Sequence, residues 1–156
     1  MDMKNPIHEL ERSDCLSLLE NNFMGRLGFI ADNTPFILPT TYYYDADDDC
    51  ILCYSSEGSK LDAMRKNNRV SFQVDDIKSI KEWQSVLLFG EFNELIAFEA
   101  KINLQKFVEG VQDTISKIQA KSPKFINDFM FRMSQEQMPI VYKIQLKNVT
   151  GKFRTS

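Results

Sequence analysis

Histidine is almost missing from this chain. His8 is the only one in 156 residues, and it lies in a polar stretch near the N-terminal end. Chemistry that relies on an imidazole placed by the fold therefore has no candidate. Cysteine is scarce too: Cys15, Cys50 and Cys53 are an odd number with no disulfide framework. Cys50 and Cys53 have the C-x-x-C spacing of redox and zinc sites, but residues three apart on a strand point to opposite faces. Zinc needs about four nitrogen or sulfur ligands, and no recognisable arrangement supplies them. The thiols read as small buried hydrophobes, and no metal is expected. The acidic run Asp45–Asp49 lacks the glycine and distal glutamate of a calcium loop, so it reads as a solvated hairpin turn.

No apolar run reaches ~18 residues, so no membrane-spanning helix is expected. The sequence does not open on the basic-then-apolar pair of a signal peptide, and a cytoplasmic location is expected. Basic residues are also outnumbered: 19 Lys and Arg against 22 Asp and Glu, a formal charge of −3. Phosphate neutralisation needs a basic face, so a dedicated nucleic-acid partner is not expected.

What is present is ordinary for one globular domain: 43% hydrophobic and 26% charged residues. Met1–Glu11 reads as an arm. Ser13 is placed to cap a short helix over Asp14–Asn21. Met24–Ala31 reads as a strand and Asp32-Asn33 as a turn. Phe36–Tyr44 reads as a second strand, in which Pro39 calls for an edge position or a bulge. Ile51–Ser55, Arg69–Asp75 and Trp83–Leu95 follow as strands, with Gly90 marking a bend or bulge in the last. Ala97–Lys121 turns helical, with Phe98, Ile102, Leu104 or Gln105, Val108, Val111, Ile115 and Ile118 as its apolar face. Pro123 breaks it, Phe125–Met133 reads as either a helix or an ordered loop, and Pro139–Val149 is a sixth strand. Strands are grouped and helices segregated, which favours a mainly antiparallel α+β barrel.

The most chemically suggestive stretch is Cys50–Lys60. A strand ends at Tyr54 and passes through Ser55-Ser56-Glu57-Gly58 into a helix starting at Ser59-Lys60. Unpaired N–H groups at a helix start, hydroxyl donors and one ammonium make an anion seat.

Several separated segments resemble one family: Met24-Gly25-Arg26-Leu27-Gly28, Pro35 with Pro39-Thr40-Thr41-Tyr42, Tyr54-Ser55-Ser56-Glu57-Gly58-Ser59-Lys60-Leu61, Asn68–Phe72, Trp83-Gln84-Ser85-Val86 with Gly90, and Gly151-Lys152. In order and spacing they are similar to the pyridoxamine 5′-phosphate oxidase-like proteins, and to their small bacterial flavin-nucleotide-binding and nitroimidazole-resistance branch. The resemblance implies a six-stranded, mainly antiparallel split β-barrel with peripheral helices and an FMN-binding fold. One domain would span residues 1–156, with 1–12 as an arm and 97–138 as a helical insert before the last strand. It also implies a homodimer with FMN at the subunit interface and a small-molecule substrate.

On this resemblance Ser59 and Lys60 hold the FMN phosphate. Tyr54 and Ser55 lie beside the ribityl chain or ring, and Leu38, Pro39, Thr40, Thr41 and Tyr42 run their main chain along the isoalloxazine. Ser85 and Val86 give a second ring contact, and Trp83 covers the site. Tyr42, Tyr43 and Tyr54 are the side chains able to donate a proton, and no catalytic residue is assigned. Two departures matter. Tyr54 stands where close relatives often carry histidine. Leu38 and the Gly151-Lys152-Phe153-Arg154 ending do not reproduce the vitamin oxidase's substrate motifs, so oxidation of pyridoxamine phosphate itself is not expected. The resemblance leaves three functions open: an FMN-dependent oxidoreductase, a non-catalytic flavin carrier or sensor, and a haem-binding or haem-degrading relative.

Overall fold

The hairpin between Met24 and Thr41 shows how local chemistry lays down the sheet. Asp32 and Asn33 both take left-handed backbone (φ 50° and 60°), which their short polar side chains tolerate. They close a two-residue turn between β2 (Met24–Ala31) and β3 (Thr34–Thr41). The computed structural model describes residues 6–118, 127–129, 132–133 and 139–155. Around that hairpin the described residues form an eight-stranded antiparallel sheet in the order β3-β2-β6-β7-β8-β5-β4, with β1 pairing on β8. The remaining strands are β1 (His8–Glu9), β4 (Tyr43–Asp45), β5 (Cys50–Ser55), β6 (Arg69–Ser79), β7 (Glu82–Glu94) and β8 (Ile140–Arg154). Three helices, α1 (Arg12–Glu20), α2 (Ser59–Lys66) and α3 (Ala97–Ile118), lie outside the sheet. Residues 127–129 and 132–133 are also helical. This is the α+β split-barrel class.

Eight strands replace the expected six for two local reasons. The expected Phe36–Tyr44 strand breaks at Tyr42, whose N–H donates to Phe23 O (2.9 Å) and whose hydroxyl donates to Leu19 O (2.7 Å). The N-terminal segment, expected as an arm, pairs His8 with Phe153 and Glu9 with Lys152 on β8. β3 lies at the sheet edge, the place where Pro39 costs no ladder bond. The Asp76–Glu82 connection shrinks to a tight turn because β6 and β7 extend to Ser79 and from Glu82. Ser13 is not the cap of α1: Glu11 occupies that position without a side-chain cap bond, and Ser13 lies inside the helix. Pro123 lies outside the described residues, as do parts of the Phe125–Met133 stretch and the end of the expected Ala97–Lys121 helix.

Two apolar clusters result. One fills the sheet's interior with Leu27, Phe72, Val86, Leu88 and Ile144, covered by Leu18 and Leu19 of α1 and Leu61 and Met64 of α2. The other lies between β5 and α3 and contains Cys50, Leu52, Phe107, Val111, Ile115 and Phe129. The apolar face of α3 matches the expected one at Leu104, Val108, Val111 and Ile115 and departs from it at the helix ends. Phe98 and Ile102 are exposed, while Phe107, Gly110, Val111, Thr114 and Ile115 are buried. Gly110 lets that face lie close to the sheet, since a Cβ there would meet the Tyr43 ring at 2.3 Å. Only a glycine lets the helix approach β4 so closely.

Among the described residues one ion pair ties α3 to β4. Lys106 Nζ donates to Asp45 Oδ2 (2.6 Å), and the Asp45 side chain is 3% exposed against 41% for Lys106. Removing one partner of a buried pair strands a charge, at a cost of about 3–5 kcal/mol when both are dry. The lysine is half-wet here, so Lys106→Ala is expected to cost about 2 kcal/mol. Chemical denaturation checks this, and a loss below ~0.5 kcal/mol would show that water reaches Asp45.

Candidate functional site

β5 buries Cys50, Ile51, Leu52 and Cys53 and turns half-exposed at Tyr54 and Ser55. Its two cysteines face opposite clusters, Cys53 the sheet interior and Cys50 the α3 side. Burial pushes both thiols up to about 12, so they stay protonated and unreactive at neutral pH. No group of three or more metal-ligating side chains occurs among the described residues.

Gly58 is extended (φ 171°) and carries the chain into α2, whose first backbone bond is Asp62 N–H to Gly58 O (3.2 Å). The N–H groups of Ser59, Lys60 and Leu61 precede that bond and project from the helix start. Ser59 is exposed and Lys60 half-buried, and Ser55 Oγ donates to Ser56 O (2.9 Å). The turn also contains Glu57, a charge that would repel an anion. Arg65 offsets part of that charge: it grips both oxygens of Glu57 and also bonds Asp62 Oδ1 (3.2 Å) and Glu94 Oε1 (2.6 Å). The guanidinium beside it holds the Glu57 carboxyl below the usual carboxylate range. Lys60 joins no ion pair among the described residues. Its pKa is lowered mainly by burial; the nearby Cys53 opposes the shift, and the Arg132 guanidinium adds to it.

Arg132 is the residue that sequence reasoning missed. Its guanidinium lies 6.0 Å from the Tyr54 ring centroid, and Tyr54 in turn meets Phe107 edge-on at 5.3 Å. Nothing local marks Arg132 among its neighbours, because its place depends on Phe129 packing on Phe107 (5.9 Å).

The other expected residues fall into two groups. Leu38 packs on the inner core, Pro39 is exposed, and Thr41 Oγ1 donates to Met24 Sδ (3.0 Å). Thr40 is 8% exposed, and its hydroxyl meets no partner among the described residues. Tyr42 is fully buried with its ring edge on Phe72, and burial raises its hydroxyl pKa. Its N–H and O–H are both committed, so it offers a ligand no proton.

Trp83, Ser85 and Val86 lie far along the sheet. Val86 is fully buried, Ser85 Oγ accepts from Gln73 Nε2 (3.0 Å), and Trp83 lines a cleft of about 330 Å³ with Leu10, Phe153 and Arg154. On β8, Tyr54 pairs with Val141 and Ser85 with Lys152. These partners are about eleven residues, or roughly 35 Å of strand, apart. In one copy of the chain Tyr54, Ser55, Ser59 and Lys60 share the passage from β5 into α2, while Trp83–Val86 lie at the other end of β8. The sheet's outer face carries an apolar groove of about 520 Å³ lined by Gly28, Phe36, Ile37 and Phe89, among others, with Ile37 75% exposed.

The sequence profile of a family described as Pyridoxamine 5′-phosphate oxidase matches residues 11–152. An uncharacterized protein of Rhizobium meliloti (strain 1021) is 32% identical over 91 residues, 58% of this chain and 59% of that one. The chain thus spans less than two thirds of the length of this curated relative. Among solved structures, an FAD-binding protein from Mesorhizobium loti superposes with a TM-score of 0.75 at 25% identity, covering 97% of this chain and 99% of that one. An FAD and heme binding protein from Mycobacterium smegmatis gives a TM-score of 0.68 at 17% identity over 98% and 74% of the two chains. A candidate 5-nitroimidazole antibiotic resistance protein from Bacteroides thetaiotaomicron gives 0.62 at 13% identity over 97% and 90%. The last two likenesses speak for the fold alone.

Proposed function

The chain belongs to the pyridoxamine 5′-phosphate oxidase family, and from that premise we propose that it is an FMN-binding oxidoreductase acting as a homodimer. The observation that carries this reading is the anion seat at the start of α2. Lys60 and three helix-start N–H groups lie at that point, Arg65 offsets part of the charge of Glu57 and Asp62, and Tyr54 lies on the strand that leads into the turn. A phosphate dianion suits such a seat in charge and in hydrogen-bond donors. The unpartnered Thr40 hydroxyl on the edge strand suits the polar rim of a flavin.

The homodimer is supported by geometry. Trp83, Ser85 and Val86 reach the same flavin as Lys60 only if they come from a second copy. The apolar groove on the outer face gives that copy a surface to cover. When bound, the flavin supplies two-electron chemistry, accepting electrons from a donor such as NAD(P)H and passing them to a small acceptor. The protein's part is to bind the phosphate, orient the ring and exclude water. With one histidine and a buried Tyr42, the chain offers little acid–base chemistry of its own. That favours a reaction whose bond changes occur on the cofactor over pyridoxamine phosphate oxidation.

Purified protein is expected to be yellow, with a band near ~450 nm, and to oxidise NAD(P)H with a quinone or nitroaromatic acceptor. Yellow protein without turnover would establish a flavin carrier instead. A Soret band would establish a haem protein. Lys60→Ala is expected to weaken FMN binding by roughly tenfold or more while leaving thermal unfolding unchanged. Unchanged affinity would refute the phosphate assignment.

The same lysine predicts a pH dependence. Its charged form binds phosphate, and its pKa lies below the ordinary 10.5. The ratio of FMN to riboflavin affinity should be constant at neutral pH and fall as pH rises through the lowered pKa. Paired titrations check this, riboflavin cancelling ionisation of the ring itself. A ratio flat to pH ~10.5 would place the lysine outside the seat.

A further inference from the structure

We infer that Arg132 is the second phosphate-holding cation of this site, so that a residue from between α3 and β8 reads the phosphoryl group of a flavin nucleotide. The inference rests on the flavin reading above and goes beyond it by adding a specificity-determining residue from a different part of the chain.

Lys60 and Arg132 come from elements more than seventy residues apart, yet Arg132 lies over the Tyr54 ring at the end of β5, close enough for its charge to lower the pKa of Lys60. Neither takes part in an ion pair among the described residues. With no counter-charge paired to either among the described residues, the two like charges repel, and a fold does not gain stability from that arrangement. A dianion between them reverses the sign of the interaction.

The placement of Arg132 is built. Phe129 is 8% exposed in the α3–β5 core, and Met133 packs on the same cluster, so anchors flank the arginine on both sides. The Tyr54 ring then supports the guanidinium from below, at the outer limit of a cation–π contact. A guanidinium presents a planar fork that matches two phosphoryl oxygens, which the point charge of a lysine does not. The seat thus combines helix-start N–H groups, one ammonium and one fork. Riboflavin, with the same ring and no phosphoryl group, gains nothing from the fork.

The test compares the full-length wild type with Arg132→Gln and Arg132→Lys, titrating FMN, FAD and riboflavin into each. Hydrogen exchange over residues 127–133 is followed in parallel. Arg132→Gln is expected to lose roughly tenfold in affinity for whichever phosphorylated flavin the wild type prefers. Riboflavin affinity should stay within about twofold, and Arg132→Lys should recover part of the loss. Exchange over 127–133 in the wild type should slow with FMN or FAD and not with riboflavin. An equal loss for all three ligands would reduce Arg132 to a structural role and overturn the inference. So would unchanged FMN and FAD affinity in Arg132→Gln, and the flavin reading would survive that result. Wild-type protein that takes up none of the three overturns both.

Discussion

Replacing Phe107 with alanine is expected to lower the free energy of unfolding by about 3–5 kcal/mol, the usual range for an aromatic ring cut from a core. Phe107 is fully buried on α3 and meets Tyr54 at 5.3 Å and Phe129 at 5.9 Å. It is the ring on which β5, α3 and the helical residues 127–129 converge. Its loss leaves a void with three separate walls, and no single wall can move in without releasing another. For a chain of this length each kcal/mol shifts the midpoint by about 2–4 °C, so thermal unfolding should fall by roughly 10 °C. The functional effect should exceed the loss of stability. Tyr54 loses its edge contact and Arg132 loses the anchor at Phe129, so phosphorylated flavin should bind more weakly at temperatures where the variant is still folded. Phe107→Leu keeps most of the volume and should cost less. A midpoint shift under ~2 °C for the alanine variant would mean that the void closes freely.

Gly90→Ala is expected to be nearly as damaging, through the backbone. At Phe89/Gly90 the register of β7 against β8 shifts by one residue. An added Cβ at Gly90 would lie 2.4 Å from Gln145 O and 2.7 Å from Ile144 Cγ2. The first neighbour is main chain, held in the ladders of both β7 and β5. It cannot swing aside as a side-chain tip could, so the bulge must open. Overpacking typically costs 1–3 kcal/mol; against a fixed carbonyl about 3 kcal/mol or more is expected. Gly58→Ala is the control. Its Cβ meets nothing within 4 Å and its backbone is extended, so its stability should stay within about 0.5 kcal/mol of wild type. If the two variants unfold alike, the close approach at Gly90 carries no energetic weight.

These contrasts show which features can be read from sequence. The Gly90 bulge is legible because a glycine inside an alternating apolar run gives up a packing side chain, which a strand tolerates mainly where it bends or another backbone comes close. The edge position of β3 is legible for a similar reason, since Pro39 lacks a donor. The Asp32-Asn33 turn and the Ser59-Lys60 helix start are local, and sequence reading places them correctly. Errors arise where distant contacts decide. The face of α3 is placed correctly at Val108, Val111 and Ile115 and misassigned at Phe98 and Ile102, which fit the helical period as well as Phe107 does. What lets the buried face lie close to the sheet is Gly110 against the Tyr43 ring, a contact across more than sixty residues. Tyr42 reads like any strand tyrosine, and its commitment to Leu19 and Phe23 belongs to the tertiary fold. Arg132 is the extreme case, since its relevance lies in what Phe129 and Tyr54 place around it.

β8 pairs with β1, β5 and β7, so two long stretches of sheet have no partner until it exists. Ser55 closes β5 and Ile140 opens the strand that pairs with it, about 85 residues later. At a ribosomal rate of roughly 5–20 residues per second, the edge of β5 waits on the order of ten seconds before it can be covered. Cys50–Ser55 is uncharged and its first four residues end up buried, so the waiting edge is sticky as well as bare. Yield on overexpression should therefore be governed by the speed of synthesis through Ser59–Ile140 and by holdase supply, more than by the stability of the finished fold.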